Sequence, residues 1–305
     1  MIDVAGRITG FTARAVAALV TTLVCCAAAV GPAAADGETP VSPRIVSLAP
    51  HLTELAFDAG IGDALVGVVE WSDYPPAAAS LPRIGDAFRF DLERILRLEA
   101  TQALAWGGGT PPGAIAELEA LGVEVEIIEI ETLEQIGSAI ERLGVLGGNP
   151  EAAEKAATSF RIRLSGFRAR HEPTRRAVSI FYQVSDRPLF TLGARHVINE
   201  VFALCGAVNA FGELDTEAAS VDLEAVLARD PAAIVIGGDG NAESASHWAS
   251  YRNLRAVACD NILHVDPALL VRPTRRVLDG ARELCVWLDE EVRRAEDPAC
   301  AINHD

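Results

Sequence analysis

The feature that most limits the fold of this chain is an internal duplication. An Asp-Leu-Glu triplet at 91–93 begins a predicted helix that leads into the strand 103–106 and three glycines. A second Asp-Leu-Glu triplet at 222–224 leads in the same way into the strand 234–236 and another glycine-rich turn, 131 positions further along. That spacing is too long for one unit of a solenoid. It predicts two lobes of similar design that face each other across a ligand cleft, since clefts between domains commonly hold small ligands.

Short β-branched stretches alternate with helical stretches in both halves, which predicts the α/β class with parallel sheets covered by helices. The predicted strands are 44–48, 65–69, 102–106, 124–130, 177–182, 232–236 and 262–265. The predicted helices are 52–59, 92–98, 114–121, 133–143, 196–204, 223–229 and 276–292.

A long helix is predicted between the two halves, over 149–171. Asn149 suits the N-cap, Pro150 the first helical position and Glu151 the first turn. Such a helix is about 33 Å long and stiffer than a loop. We expect it to join an N-terminal lobe, residues 43–146, to a C-terminal lobe, residues 174–295, with a tail at 296–305. The alternative is an ordinary surface helix within one domain.

The first residues have the pattern of an export signal. Arg7 and Arg14 precede an apolar run over 15–30, and three alanines follow at 33–35. This pattern predicts a cleavable signal peptide over 1–35 and a periplasmic protein, because the run is short for a membrane span. Cys25 and Cys26 leave a lipid anchor as the alternative, although a lipobox has a small residue before its cysteine.

Export places the remaining cysteines in an oxidising compartment, where disulfides persist. These cysteines are Cys205, Cys259, Cys285 and Cys300. Their spacing alone leaves all three pairings open.

Charge and motifs exclude several functions. The net charge of −17 argues against a nucleic-acid partner, which needs a basic face. The single lysine, Lys155, is not in a phosphate-binding loop. We therefore expect a protein that is not an enzyme. The weaker alternative is a secreted hydrolase that uses His51 with Asp73, but no nucleophile–base spacing supports it.

Several aromatic residues follow predicted strands, at the edge where parallel sheets bind ligands. They are Trp71, Tyr74, Trp106, Tyr182 and Phe190, and Gly107 follows Trp106 directly. Glycine lets a large flat ligand approach the backbone, and aromatic rings supply wide apolar area. The alternative for each ring is core packing.

Charged and polar residues near the same edge have two interpretations each. His51, after Pro50, either contacts a ligand or caps a helix, and Arg272 either faces the cleft or is a solvated loop residue. Glu93 and Glu224 occupy equivalent places near helix starts. They either stabilise the helix ends or dock both lobes onto a basic partner.

Segments that include many of these residues also resemble a known family. They are Ser-Leu-Ala-Pro at 47–50, Ser-Asp-Tyr-Pro-Pro at 72–76, Asp-Leu-Glu at 91–93, Ala-Trp-Gly-Gly-Gly at 105–109 and Leu-Cys-Gly at 204–206. The chain resembles the periplasmic vitamin B12-binding proteins of ABC importers, in the helical-backbone substrate-binding group, over about 43–290. Ser-Leu-Ala-Pro is also shared with siderophore and heme binders.

The resemblance implies two Rossmann-like lobes joined by a single long rigid helix, with cobalamin or a related corrinoid held between them as transported ligand and no resident cofactor. It implies that Pro50, Tyr74, Trp106 and Phe190 line the cleft. It also implies that Glu93 and Glu224 dock onto the transmembrane permease, which works with its ATPase. The protein is then expected to act as a monomer. The alternative of the same architecture is a heme or siderophore receptor.

The resemblance further implies a disulfide between Cys205 and Cys285, and leaves Cys259 and Cys300 undecided. The sequence also departs from the family pattern. Ala87, Phe88 and Ala218 stand where the family has tryptophans that contact the corrin, which leaves the identity of the ligand open. His51 is a further departure, and it is a possible axial ligand to corrinoid cobalt.

Overall fold

The computed structural model describes residues 43–86, 88–170, 177–238 and 247–292. The predicted signal peptide, Ala87, the tail at 296–305 and Cys300 lie outside these ranges, so the pairing of Cys259 with Cys300 stays open. No helix within the described ranges has the length and apolar character that a membrane span requires.

The N-terminal lobe contains a sheet of four parallel strands in the order β2-β1-β3-β4. The strands are β1 Ile45–Ser47, β2 Leu65–Val68, β3 Gln102–Trp106 and β4 Glu124–Ile128. The helices are α1 Pro50–Asp58, α2 Leu92–Arg97, α3 Pro112–Ala120 and α4 Leu133–Leu146. The central strands β1 and β3 are buried because helices cover parallel sheets on both faces.

The C-terminal lobe contains a second sheet of four parallel strands in the order β11-β10-β5-β8. These strands are β5 Val178–Gln183, β8 Ala207–Asn209, β10 Ala233–Gly237 and β11 Ile262–Val265. A small antiparallel sheet in the order β6-β7-β9 consists of β6 Ser185–Asp186, β7 Leu189–Leu192 and β9 Ala218–Ser220. The helices are α6 Ile198–Leu204, α7 Leu223–Arg229, α8 Arg255–Ala258, α9 Pro267–Leu270 and α10 Val277–Trp287.

The two parallel sheets have the same topology, which confirms the duplication read from the sequence. The order β8-β5-β10-β11 corresponds strand by strand to β2-β1-β3-β4. In each lobe, the helix that begins with Asp-Leu-Glu leads into the third strand of this order. In the N-terminal lobe α2 leads into β3, and in the C-terminal lobe α7 leads into β10. The predicted α/β class with parallel sheets is therefore confirmed.

A helix of 21 residues, α5 Pro150–Arg170, lies in the chain between the two sheets, where the sequence predicts it. Its buried side chains are Ala153, Ala157, Phe160, Leu164 and Phe167. They recur every three or four positions, so they form one face. This face belongs to a continuous hydrophobic cluster that includes residues of both sheets. The role of α5 as a rigid link stays a prediction.

A disulfide joins Cys205, at the end of α6, to Cys285 in α10, with the two Cα atoms 4.8 Å apart. This is the pairing that the family resemblance implies. It fixes a helix beside the second sheet to the last long helix of the described chain.

Candidate functional site

The carboxyl ends of the N-terminal strands contact the C-terminal lobe through Arg272, one of the predicted ligand residues. Its guanidinium lies 3.3 Å from Glu54 and 3.3 Å from Asp73, and it donates to the Trp71 carbonyl at 3.2 Å. Arg272 therefore does not lie in a solvated loop. It faces the N-terminal lobe at the loops that follow β1 and β2.

Glu54 is the buried acid of this contact, with only 2% of its side chain exposed. Arg276 also reaches it, at 3.2 Å. The pKa of Glu54 is nevertheless raised, because loss of hydration outweighs the attraction of the two guanidinium groups. One carboxylate oxygen, Oε2, has no hydrogen-bond partner. Burial of this carboxylate is costly, and the two arginines offset part of that cost.

Two of the predicted aromatic residues are exposed beside this contact. Trp71 is 75% exposed and Tyr74 is 44% exposed. The Arg276 guanidinium carbon lies 4.1 Å from the centre of the Tyr74 ring, which is a cation–π distance. Trp71 has a φ of +64°, an uncommon backbone conformation for a residue other than glycine. Their exposure excludes the core-packing alternative for both rings and leaves them available to a ligand.

His51, by contrast, is only 6% exposed. It lies in the first turn of α1, next to the half-buried Pro50, and its ring centre is 5.5 Å from that of Trp106 in an edge-on arrangement. Burial lowers the pKa of His51 to about 3, and Arg272 and His196 lower it further in the same direction. Its Nε2 atom has no hydrogen-bond partner. His51 is therefore a neutral imidazole with an unused nitrogen at neutral pH.

Trp106 ends β3, and the glycine turn that follows it receives a side chain from the other lobe. The backbone N–H of Trp106 donates to Thr110 Oγ1 at 2.9 Å, which closes the turn over the exposed Gly107. The Glu217 carboxylate lies against Gly108, in the place that a side chain there would occupy. The Trp106 indole nitrogen lies beside the same place and attracts the carboxylate.

Burial raises the pKa of Glu217 to about 7, and Glu131 and Glu129 raise it further, whereas Arg195 and the Trp106 indole oppose the rise. Sequence reasoning missed Glu217. The sequence signal nearest to it is the departure from the family pattern at Ala218.

Two predicted ligand residues lie further inside the C-terminal lobe. Tyr182 is 1% exposed within the hydrophobic cluster, and its hydroxyl packs against Gly237 without a hydrogen-bond partner. Burial raises its pKa. This placement favours the core-packing alternative for Tyr182. Phe190 is half-buried in β7, opposite Ser185 and Ser220, and its contact with a ligand stays a prediction.

The two predicted docking glutamates are both exposed, Glu93 at the start of α2 and Glu224 at the start of α7. In α2 the capping bond is made by Asp91, whose carboxylate accepts the Arg94 N–H at 2.9 Å. Glu93 is therefore not needed as a cap. Its side chain is 88% exposed and lies 3.4 Å from Arg97 on the same helix.

The catalytic pair of the hydrolase alternative is not formed. Asp73 binds Arg272, and Nε2 of His51 has no partner. Within the described ranges, no group of His, Cys, Asp and Glu side chains has the arrangement of a metal site. The arrangement instead brings aromatic rings, an arginine and a neutral imidazole together where the two lobes meet, a composition suited to binding.

Comparison with known proteins identifies the group to which this arrangement belongs. Residues 45–269 match the periplasmic binding protein family. The chain belongs to this family. That membership confirms the family resemblance and agrees with a binding role.

Relatives within the family are similar over most of their length. The vitamin B12-binding protein of Vibrio cholerae serotype O1 is 38% identical over 245 residues, which cover 80% of this chain and 88% of that protein. The crystal structure of the periplasmic vitamin B12-binding protein BtuF of Vibrio cholerae matches with a TM-score of 0.74 and 37% identity, covering 83% of this chain and 98% of that one. A periplasmic heme-binding protein from Pseudomonas aeruginosa matches with a TM-score of 0.70 and 28% identity, over 81% of this chain and 92% of its own.

Proposed function

We propose that this periplasmic binding protein captures cobalamin or a related corrinoid and delivers it to the permease and ATPase of an ABC importer. The observation that carries the proposal is a set of three aromatic residues beside the contacts between the lobes of a chain that is 38% identical to a vitamin B12-binding protein. Trp71 contacts Arg272 through its carbonyl, Tyr74 contacts Arg276, and Trp106 contacts His51. The contacts of Arg272 with Glu54 and Asp73 close this region. A bulky guest therefore enters when the lobes separate there.

The chemistry of these side chains suits a flat metal-containing ring. Exposed aromatic rings offer apolar area at little entropic cost, and Arg272 can hydrogen-bond to polar groups at the edge of the ring. The neutral His51 supplies a nitrogen of the kind that binds cobalt, and we include it in the proposal as an axial ligand. The ring is cargo in this proposal and not a resident cofactor.

A heme receptor is the second candidate, and His51 is the observation that favours it. A neutral imidazole is also a usual ligand of heme iron. The heme-binding protein of Pseudomonas aeruginosa shows that the family fold is compatible with such a role. A ferric siderophore receptor has no comparable support among the described side chains.

The proposal includes an exported, periplasmic protein that loses residues 1–35 and acts as a monomer. The disulfide between Cys205 and Cys285 supports export, because structural disulfides persist in oxidising compartments. Glu93 and Glu224 are the proposed contacts with the permease, one on each lobe, and both are exposed as docking requires.

Calorimetric titration of the purified protein with cyanocobalamin, dicyanocobinamide, hemin and a ferric siderophore tests the ligand. We expect heat of binding with the two corrinoids. Tyr74→Ala and Trp106→Ala should each weaken corrinoid binding by about 1–3 kcal/mol, the range for loss of a large apolar contact. Ile162→Ala is a suitable control, because Ile162 is an apolar side chain that is 68% exposed on α5. Corrinoid binding that is unchanged in both aromatic variants would remove these rings from the site.

The absorption spectrum tests His51 separately. Diaquocobinamide should show a shift of its visible bands when it binds the wild-type protein, because a nitrogen replaces water on cobalt. His51→Ala should bind without that shift. The same spectrum in both proteins would exclude His51 as an axial ligand and leave the receptor function standing.

A further inference from the structure

Glu217 is a half-buried acid that reaches from one lobe to the other. It belongs to the C-terminal lobe, yet its carboxylate rests on Gly108 of the N-terminal lobe, beside the Trp106 indole nitrogen. Trp106 is one of the rings proposed to contact the ligand. A guest that reaches Trp106 must displace this carboxylate, which then lies at the edge of the guest.

The charges around Glu217 are mostly negative. Glu129 and Glu131 follow β4 on the N-terminal lobe, and both act on Glu217 electrostatically. The nearby cation is Arg195, whose Nε donates to Glu131 at 2.8 Å and which also interacts with Asp215. Three glutamates therefore surround this side of the site against one arginine that already has an ion pair.

The arginines on the other side of the site also have acidic partners. Arg272 pairs with Glu54 and Asp73, and Arg276 pairs with Glu54. A ligand with carboxylates on its rim would have to compete with these acidic partners, of which Glu54 is buried. His51, which is 6% exposed, packs against Trp106, and its Nε2 atom has no hydrogen-bond partner. This buried polar atom points independently to a ligand in this place.

We infer that Glu217 is a specificity-determining residue that selects a macrocycle edged with amides and rejects one edged with carboxylates. The inference rests on the proposed function and deepens it. A carboxylate accepts hydrogen bonds from amide N–H groups, whereas a second carboxylate at the same distance repels it and loses hydration. Corrinoids such as cobinamide have amide rims, and heme has carboxylates.

The charge on Glu217 changes near neutral pH. Burial is the main cause that raises its pKa to about 7, and Glu131 and Glu129 raise it further, whereas Arg195 and the Trp106 indole lower it. Repulsion of a carboxylate-edged ring is therefore expected to increase as the pH rises from 6 to 8. Replacement by glutamine removes this titration and keeps an oxygen that accepts hydrogen bonds.

The test compares two corrin rings that share the cobalt and the macrocycle, dicyanocobinamide with amides and dicyanocobyrinic acid with carboxylates. Their dissociation constants are measured for the wild type, Glu217→Gln and Glu124→Gln. Glu124 is an exposed residue that begins β4, whereas Glu129 follows the other end of this strand. The control therefore removes the same charge about 16 Å along the strand from Glu129. Thermal melting checks that each variant is folded.

We expect the wild type to bind the amide ring more tightly than the carboxylate ring. Glu217→Gln should bind the carboxylate ring better, and so lower the ratio of the carboxylate-ring to the amide-ring dissociation constant about tenfold, or by about 1.4 kcal/mol. Glu124→Gln should keep the wild-type ratio. In wild type the ratio should rise between pH 6 and pH 8, and in Glu217→Gln it should stay flat.

The outcomes separate the two proposals. If wild type binds neither corrin ring, the receptor function fails and the inference fails with it. If wild type binds the amide ring but Glu217→Gln leaves the ratio and its pH dependence unchanged, the inference alone is overturned. A wild-type preference for the carboxylate ring would also overturn it.

Discussion

Acid should destabilise this protein in a way that depends on His51. The pKa of His51 is about 3 in the folded chain, against an ordinary value of 6.5. Acid therefore protonates the unfolded chain first and favours it. The contribution of His51 to stability is complete above pH 6.5 and is lost progressively as the pH falls toward 3.

The magnitude follows from these two values. Each pH unit between them lowers the free energy of unfolding by about 1.4 kcal/mol, so a fall from pH 7.5 to 4.5 costs about 2.7 kcal/mol from His51 alone. The main cause is burial, because protonation would place a cation in a site that excludes water, and the charge of Arg272 opposes protonation further. His196, whose pKa is lowered by burial to about 4, adds a second contribution of the same sign.

Urea unfolding at pH 7.5, 5.5 and 4.5 measures this effect in the wild type and in His51→Asn. The variant should lose about 2.7 kcal/mol less between the two extreme pH values, because asparagine does not titrate. His264→Asn replaces an exposed histidine and should keep the wild-type dependence. The reasoning is refuted if wild type and His51→Asn lose the same free energy, whatever their stabilities at pH 7.5.

Three further predictions concern stability and docking. Replacing Cys205 and Cys285 by alanine should lower the free energy of unfolding, measured with urea, by about 4–5 kcal/mol, which is the chain-entropy value for a loop of about 81 residues. Equal urea midpoints for the variant and the wild type would argue against it. Phe160→Ala should lower the free energy of unfolding by about 3–5 kcal/mol, because the ring is fully buried in the hydrophobic cluster that includes residues of both sheets. A loss below about 1 kcal/mol in the same assay would contradict that packing. The double variant Glu93→Gln/Glu224→Gln should keep the corrinoid dissociation constant of the wild type and reduce the ligand-stimulated ATP hydrolysis of the reconstituted importer. Unchanged ATP hydrolysis would exclude docking through these two acids.

Much of the fold could be predicted because the sequence contains it twice. Strand–helix alternation located all four strands of the first sheet and three of the second, together with α5. The strand β8 Ala207–Asn209 and the small antiparallel sheet could not be predicted, because they are short and contain few β-branched residues. Such strands form because neighbouring strands provide hydrogen-bond partners, which a local pattern does not show.

The site was predictable to the extent that each residue lies at the end of a strand. Trp71, Tyr74 and Trp106 follow this rule and lie where the lobes meet. Arg272 also lies there, but it follows the short helix α9 and not the strand that the sequence predicts before it. Tyr182 was placed at a strand end by the pattern, but β5 continues to Gln183, so its ring stays within the buried sheet. Glu217 is brought to Trp106 by the contact between lobes, which no local sequence signal reports.

The ionic contact between the lobes has a kinetic consequence. Arg272 and Arg276 reach Glu54, and Arg275 reaches Asp58 at 3.1 Å. The three arginines lie between α9 and α10, and both acids lie in α1. Water and dissolved ions enter such pairs once the gap starts to widen, and screening then weakens the attraction that would pull it shut. A receptor held closed by these ion pairs is expected to exchange its cargo faster at high ionic strength than at low ionic strength. The salt would act on the protein alone, because none of the charged groups involved belongs to the cargo.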